Sequence, residues 1–389
     1  MAPLATRQTG PDEFWADLKR PAADLARRPR TAVVLPSGSA FSASAPNSME
    51  TVVRTLLSAM PDEDVMVFCD AGASDHGIAQ VWPVRSDGNR ARSMANALRA
   101  FEPDLIEHHQ QVKQALILAR ALPNAAHVLY RHNALKPPRH LIDAWRYNAR
   151  YAAMDGFVFV SERERAGFAR AYPALAHRAW AIPNPIDSGP WRASPDLREP
   201  VIAFAGRAMP EKGLAEICDA LPSILDRHPG WRAVLMLGDW AHHQKWASPR
   251  VAPLGRYADR VEILHSAGLA EVQRRMKTAA IALTPSVWDE PFGLAAVEAH
   301  AAGAALISSG HGGLREASGP HAHYLTEVTA RALTIAIDDL IRQPNRRIAL
   351  AREGQRHVLE THTPERRAAE LLAVRRAIVA GRRRTTLGS

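Results

Sequence analysis

Cysteine is nearly absent: Cys69 and Cys218 are the only two in 389 residues. They stand 149 positions apart, with no CxxC pair and no Cys/His cluster, which excludes a disulfide framework and a thiolate metal site. Both read as reduced, buried thiols in a reducing compartment. Long apolar runs are missing as well. No stretch approaches the roughly 18 apolar residues that a spanning helix needs, and the opening MAPLATRQTGPDEFWADLKR lacks the apolar core of a secretory leader, so a cytoplasmic location is expected. Internal repeats, low-complexity tracts and a well-placed DxD dyad are absent too. Aromatics make up only 6% and do not interleave with the dispersed arginines, and no groove-reading helix stands out, so specific nucleic-acid binding is not expected.

What the chain does have is excess positive charge, +9 formally, which favours an anionic partner: a phosphate-bearing small substrate or an anionic lipid surface. With 47% apolar and 23% charged residues the composition is that of a globular protein able to bury sizeable cores. At roughly 100 to 200 residues per domain, two domains are expected. Short apolar segments (31–35, 65–69, 105–109, 127–130, 156–160, 179–182) alternate with helical patterns, as in a parallel sheet covered on both faces. PNPIDSGPWRASPDLREP, with five prolines in 18 residues, reads as a linker, and VIAFAG then restarts the alternation. The expected division is an N-terminal domain over 1–190, with 1–30 partly loose, a C-terminal domain over 191–363, and a terminal helix with basic tail over 364–389 that packs back on the first domain. The expected fold class is α/β, doubly wound, twice.

Open parallel sheets bind ligands beyond the carboxyl ends of their strands, so residues just after strands matter most. In VIAFAGRAMPEKGL, Arg207 and Lys212 sit at a strand-to-helix junction. Two cations there suit a diphosphate, the arginine forking onto two oxygens and the lysine adding a point charge; a solvated loop with turn glycines is the plain alternative. In TPSVWDEPFGLAAVEAHAAG, Glu290 lies in a loop and Glu298 about one turn inside the helix that starts near Leu294. Free N–H groups at that helix start suit phosphate and the carboxylates suit sugar hydroxyls, although such glutamates also serve as capping and surface residues. His242 to Gln244, in an expected exposed loop, carry no metal-ligand pattern, and Trp145, Trp180 and Trp231 are expected to pack.

GRAMPEKGL, then DEPFGLAAVEAHAAG some eighty residues later, then HGGLREASG, in that order, resemble glycosyltransferase family 4. The resemblance is strong in the C-terminal half and weaker in the N-terminal half, where AIPNPID resembles the segment before the family's linker. It implies the GT-B fold, two Rossmann-like domains facing each other across a cleft, and retaining transfer of a hexosyl unit from a UDP- or GDP-sugar to a saccharide or lipid-linked acceptor. It further implies that Arg207 and Lys212 bind the donor diphosphate with backbone N–H groups of Phe292, Gly293 and Leu294, that Glu298 binds the ribose and that Glu290 binds the transferred sugar. No metal and no other cofactor is expected, since fixed cations meet the diphosphate. The pattern also places a histidine at the end of an N-domain strand; in DLIEHHQ, His109 matches it better than His108, while a merely hydrogen-bonded histidine is the alternative. The family's glycine-rich first loop is reduced here to Gly38, leaving a phosphate contact, an acceptor pocket or an ordinary loop. A sugar-nucleotide epimerase, a phosphorylase and a non-catalytic polyanion-binding protein are the competing functions. Arg27 to Arg30 and Arg382 to Arg384 are the expected contacts for a peripheral anionic membrane.

Overall fold

Apolar segments too short for helices and too apolar for one-sided sheets become parallel strands buried on both faces. The computed structural model describes residues 28–387 apart from 45, 87, 134 and 136, in two units: one of residues 1–159, 167–182 and 368–389, the other of 160–166 and 183–367.

The first unit holds β1 (Thr31–Val34), β2 (Val65–Asp70), β3 (Val81–Val84), β4 (Leu105–His109), β5 (Ala126–Arg131), β6 (Gly156–Phe159) and β7 (Ala179–Ala181). All pair in parallel in the order β3-β2-β1-β4-β5-β6-β7. Alternate residues feed opposite cores: Ala32, Val34, Phe68 and Ile106 pack on one face, Val33, Val65, Val67 and Cys69 on the other. The helix Ser48–Ser58 starts from a capping box, Asn47 accepting from Glu50 N at 3.0 Å and Glu50 accepting from Asn47 N at 3.1 Å. The helix Pro364–Leu387 joins this unit through its later turns. Its Ile378 lies where a Cβ on Gly156 would stand 2.6 Å from Ile378 Cδ1, so residue 156 has room for no side chain.

The second unit holds β8 (Glu199–Arg207), β9 (Arg232–Gly238), β10 (Val261–His265), β11 (Ala279–Thr284), β12 (Ala305–Ser308) and β13 (His323–Tyr324), parallel in the order β10-β9-β8-β11-β12-β13. The helix Leu214–Arg227 lays Leu214, Ile217, Leu221, Ile224 and Leu225 into the core beside Ile202, Leu235 and Ile281, the 3-and-4 spacing of a buried helix face.

Several expectations change. His242 and His243 are not in a loop; they lie on the helix Trp240–Val251, both against Asp239, at 2.5 and 3.3 Å. Trp145 does not pack, being 72% exposed. The terminal helix does not stop at Ala380 but runs through most of the basic tail to Leu387. Cys69 and Cys218 are buried free thiols, pushed up to about 11 and about 12 by burial. Among the described residues, no helix is long and apolar enough to cross a membrane.

Candidate active site

In each sheet the chain winds outward in two directions from a central pair, β1/β4 and β8/β11, and the carboxyl ends of such a pair open a crevice. In the second unit Arg207 ends β8 and Thr284 ends β11. A 3₁₀ turn, Pro210–Lys212, follows β8 and ends at Gly213 with φ +73°. A Cβ on Gly213 would lie 2.2 Å from Pro285 O, so only glycine lets the two loops approach, and Val287 N donates to Glu211 O at 3.0 Å across them. That approach delivers Lys212 Nζ to Glu290 Oε1 at 2.5 Å. Ser286 Oγ donates to the same oxygen at 2.5 Å. Glu290 is buried, and its Oε2 has no partner among the described residues. The Arg207 side chain is exposed, and no side-chain hydrogen bond ties its guanidinium down among the described residues, although, after His242, its charge helps to lower the neighbouring Asp239.

Three residues beyond Glu290, Gly293 caps the helix Leu294–Ala301 at φ +112°, where a Cβ would stand 2.5 Å from Leu314 Cδ2. Ala296 N and Val297 N already donate to Gly293 O at 3.0 and 3.3 Å, whereas the N–H groups of Leu294 and Ala295 at the very start have no intrahelical carbonyl one turn back. Phe292 is buried, edge-on to His362 at 5.4 Å. Glu298 is half-buried on the first turns of the helix, and burial pushes its carboxyl up to about 7. No side-chain partner meets it among the described residues. The segment His311–Gly312–Gly313 clamps this loop from behind. Gly313 N donates to Glu290 O at 2.6 Å, and a Cβ on Gly312 would lie 2.1 Å from that oxygen. Sequence reasoning gave Gly213, Gly312 and Gly313 no role of their own; their positive or crowded backbones are what hold Lys212 and Glu290 together. Arg163 reaches Asp289 at 2.6 Å, and Glu316 accepts from Glu162 N and Arg163 N at 2.6 and 2.8 Å.

In the first unit His109 ends β4 and is wholly buried. Its Nε2 faces Glu107 Oε1 at 3.0 Å and its Nδ1 faces His132 Nε2 at 2.9 Å, so both ring nitrogens are engaged and His109 offers no free atom to a ligand. His108 points to the other face, against His127 Nδ1 at 2.9 Å, and burial beside His127 and His109 keeps it well below the usual histidine range. Burial alone would raise Glu107, yet Arg375 at 2.9 Å and His109 hold it at about 2. His132, absent from the sequence reading, is half-buried beyond the end of β5 and stacks on Tyr130 and His109.

Gly38 has φ +87° and already donates its N–H to Asp70 Oδ2 at 2.8 Å. Its turn geometry explains the glycine, and the neighbouring carboxylate disfavours phosphate there. Arg30 is engaged with Asp104 and Asp64, and Arg382 with Asp155 at 2.7 Å; Arg27 and the side chains of Arg383 and Arg384 lie outside the described residues. Among the described residues no group of three or more His, Cys, Asp or Glu is arranged to hold a metal ion.

Residues 49–189 match the model for Glycosyltransferase Family 4, and residues 189–357 match the model for Glycosyl transferases group 1. The chain is 26% identical over 362 residues to the alpha-maltose-1-phosphate synthase of Mycolicibacterium smegmatis, covering 82% of this chain and 92% of that protein. Against the phosphatidyl-myo-inositol mannosyltransferase of Mycobacterium tuberculosis it is 30% identical over 142 residues, 35% of this chain and 36% of that one. The Anabaena HepE structure in complex with UDP superposes with a TM-score of 0.69 at 18% identity, over 88% of this chain and 99% of that chain, a likeness of fold. The second-sheet loops that join Lys212 to Glu290 lie within the group 1 match, and the doubly wound first unit carries the family 4 match. The chain is therefore a GT-B glycosyltransferase of the group 1/family 4 type.

Proposed function

We propose that the chain moves a hexosyl unit from a UDP- or GDP-sugar to a saccharide or lipid-linked acceptor in envelope polysaccharide or glycolipid synthesis, with retention and without a metal. One observation carries the donor reading: Lys212 and Glu290 meet at the switch point of the second sheet, one short loop from the Gly293 helix start. The diphosphate takes the Arg207 and Lys212 cations and the N–H groups of Phe292, Gly293 and Leu294. Negative charge grows on the leaving phosphate as the glycosidic bond breaks, and those fixed positive groups stabilise it. Glu290 Oε2 accepts from a hydroxyl of the transferred sugar, and the half-buried, partnerless Glu298 accepts from the ribose.

A thermal-shift and hydrolysis screen against UDP-, GDP- and ADP-sugars tests this, because a bound donor stabilises the native state by mass action. One nucleotide sugar is expected to raise Tm and to turn over in excess EDTA; a requirement for added magnesium or manganese would overturn the metal-free part. Lys212→Ala removes a charge-assisted contact of about 1.5–3 kcal/mol. Both kcat and donor affinity are expected to fall, whereas Glu298→Ala raises KM with kcat kept.

Peripheral contact with an anionic lipid surface fits the helix Leu141–Tyr151 better than the ion-paired Arg382. Ile142 and Trp145 project from it, 71% and 72% exposed, beside exposed Arg139, Arg146 and Arg150. Apolar anchors flanked by arginine are the chemistry of interfacial helices.

A further inference from the structure

Two large apolar side chains stand side by side in solvent on the loop that carries Glu290: Val287 is 42% and Trp288 37% exposed. Neither packs against the core of the second unit. Exposed apolar side chains grouped beside a polar pocket mark a surface that a ligand covers. The loop is pinned on both sides of the indole, since Val287 N donates to Glu211 O at 3.0 Å and Arg163 holds Asp289 at 2.6 Å. Two residues after Trp288, the Glu290 side chain turns inward to Lys212 and Ser286. Lys212 Nζ stands over the indole at 6.0 Å from the ring centre, the outer edge of a cation–π contact. The ring therefore borders the cation given to the diphosphate without being covered by it. Exposure rises outward from Glu290: a buried carboxylate, a partly buried ammonium, then an open aromatic ring.

A hexose ring has the matching chemistry. Its hydroxyls lie around the rim, while its axial C–H groups form an apolar, weakly positive face that the negative face of an indole attracts. A phosphate or another anion is repelled by that same face. We propose that Trp288, with Val287 beside it, is the platform on which a sugar ring of the acceptor stacks, next to the donor sugar held by Glu290. The donor ring takes the inner, buried position, and the ring that reaches Trp288 is the next one outward. The acceptor then carries its attacking hydroxyl on a saccharide and not on a bare lipid alcohol. What lies at Glu290 rests on the donor reading above; the stacking on Trp288 does not.

The whole chain labelled with 5-fluorotryptophan reports on each of its nine tryptophans by ¹⁹F resonance, and Trp288→Phe assigns the signal of Trp288. Methyl α-glucopyranoside, methyl α-mannopyranoside and maltose are titrated in, with and without UDP or GDP. At least one of them should shift the Trp288 signal saturably, whereas glycerol, which has hydroxyls but no ring face, should not. Saturation transfer from the protein to the C–H protons of that saccharide should fall roughly fivefold in Trp288→Ala and survive in Trp288→Phe, which keeps an aromatic face. A Trp288 signal that none of the three saccharides moves overturns the platform. So does one that glycerol moves equally, or saturation transfer undiminished in Trp288→Ala.

Calorimetry with UDP, UDP-glucose, GDP and GDP-mannose keeps the two readings apart. Trp288→Ala should retain the affinity that the sugar adds over the bare nucleotide. Loss of that increment would put the ring under the donor's own sugar and overturn the acceptor assignment. A native protein that binds none of the four overturns the donor reading, while the fluorine titrations without nucleotide still decide the platform. A thermal melt of each variant confirms that it is folded.

Discussion

Burial lifts the Glu298 carboxyl to about 7, and no side-chain partner among the described residues offsets that shift. A ribose offering two hydroxyls binds the ionised form, so binding and deprotonation favour each other. Donor affinity should tighten as pH rises from 6 to 8, and Glu298→Gln should flatten that dependence; an unchanged slope would remove Glu298 from the ribose site. His300 shows the opposite economy. It is fully buried on the same helix, with both ring nitrogens unpaired among the described residues and its ring filling the space above Gly354. Unpaired buried polar groups cost about 1–3 kcal/mol, so His300→Met should raise Tm, and a drop would show that the pocket needs the flat ring. His109 was chosen from its place at a strand end. What no sequence displays is that its two nitrogens are spent on Glu107 and His132, because His132 lies 23 residues away and meets it only through the pairing of β4 with β5.

Loops and helices obey the same division between what local chemistry shows and what only packing shows. Gly213→Ala would force a Cβ into Pro285 O at 2.2 Å and strain φ +73°, costing more than about 1 kcal/mol and drawing Lys212 off Glu290. Its kinetics should resemble Lys212→Ala despite an intact lysine, and normal donor turnover would contradict that coupling. In vesicle sedimentation, Ile142→Ser with Trp145→Ser should abolish binding to anionic but not affect recovery with neutral vesicles; equal wild-type recovery with both sinks the membrane role of that helix. The strands beside the crevices and the helices Val112–Ala121 and Leu214–Arg227 were legible because each is a bounded apolar period. Missed elements broke that rule for identifiable reasons. β3 contains Pro83 and survives only as an edge strand. The helix Trp240–Val251 has no continuous apolar face and includes Pro249. β13 is two residues long. Lys212 and Glu290 were individually visible, but their contact spans 78 positions.

For the molecule as a whole, acid should be the weak direction. His300 and His362 are held at about 3 by burial, and His108, His127, His132, His323 and His357 are also lowered, each first by desolvation. In the unfolded chain these groups take protons near pH 6.5 while the folded ones stay neutral, so the unfolded state binds more protons below that pH. Stability should therefore be full above about 6.5 and decline from there towards pH 3, steeper than carboxylates alone explain. Urea midpoints at pH 7.5 and 5.5 test it, and equal values would mean these rings titrate freely.

The ion pair of Glu107 with Arg375 joins positions 268 apart in the chain. During synthesis the ribosome releases Glu107 long before Arg375 exists, so the nascent first unit must keep its central carboxylate hydrated or protonated until translation is almost over. Its core thus closes after the second unit has been made, and a chain stopped at residue 367 should emerge with the first sheet incompletely folded and open to protease. Removing only residues after 382 should leave it resistant.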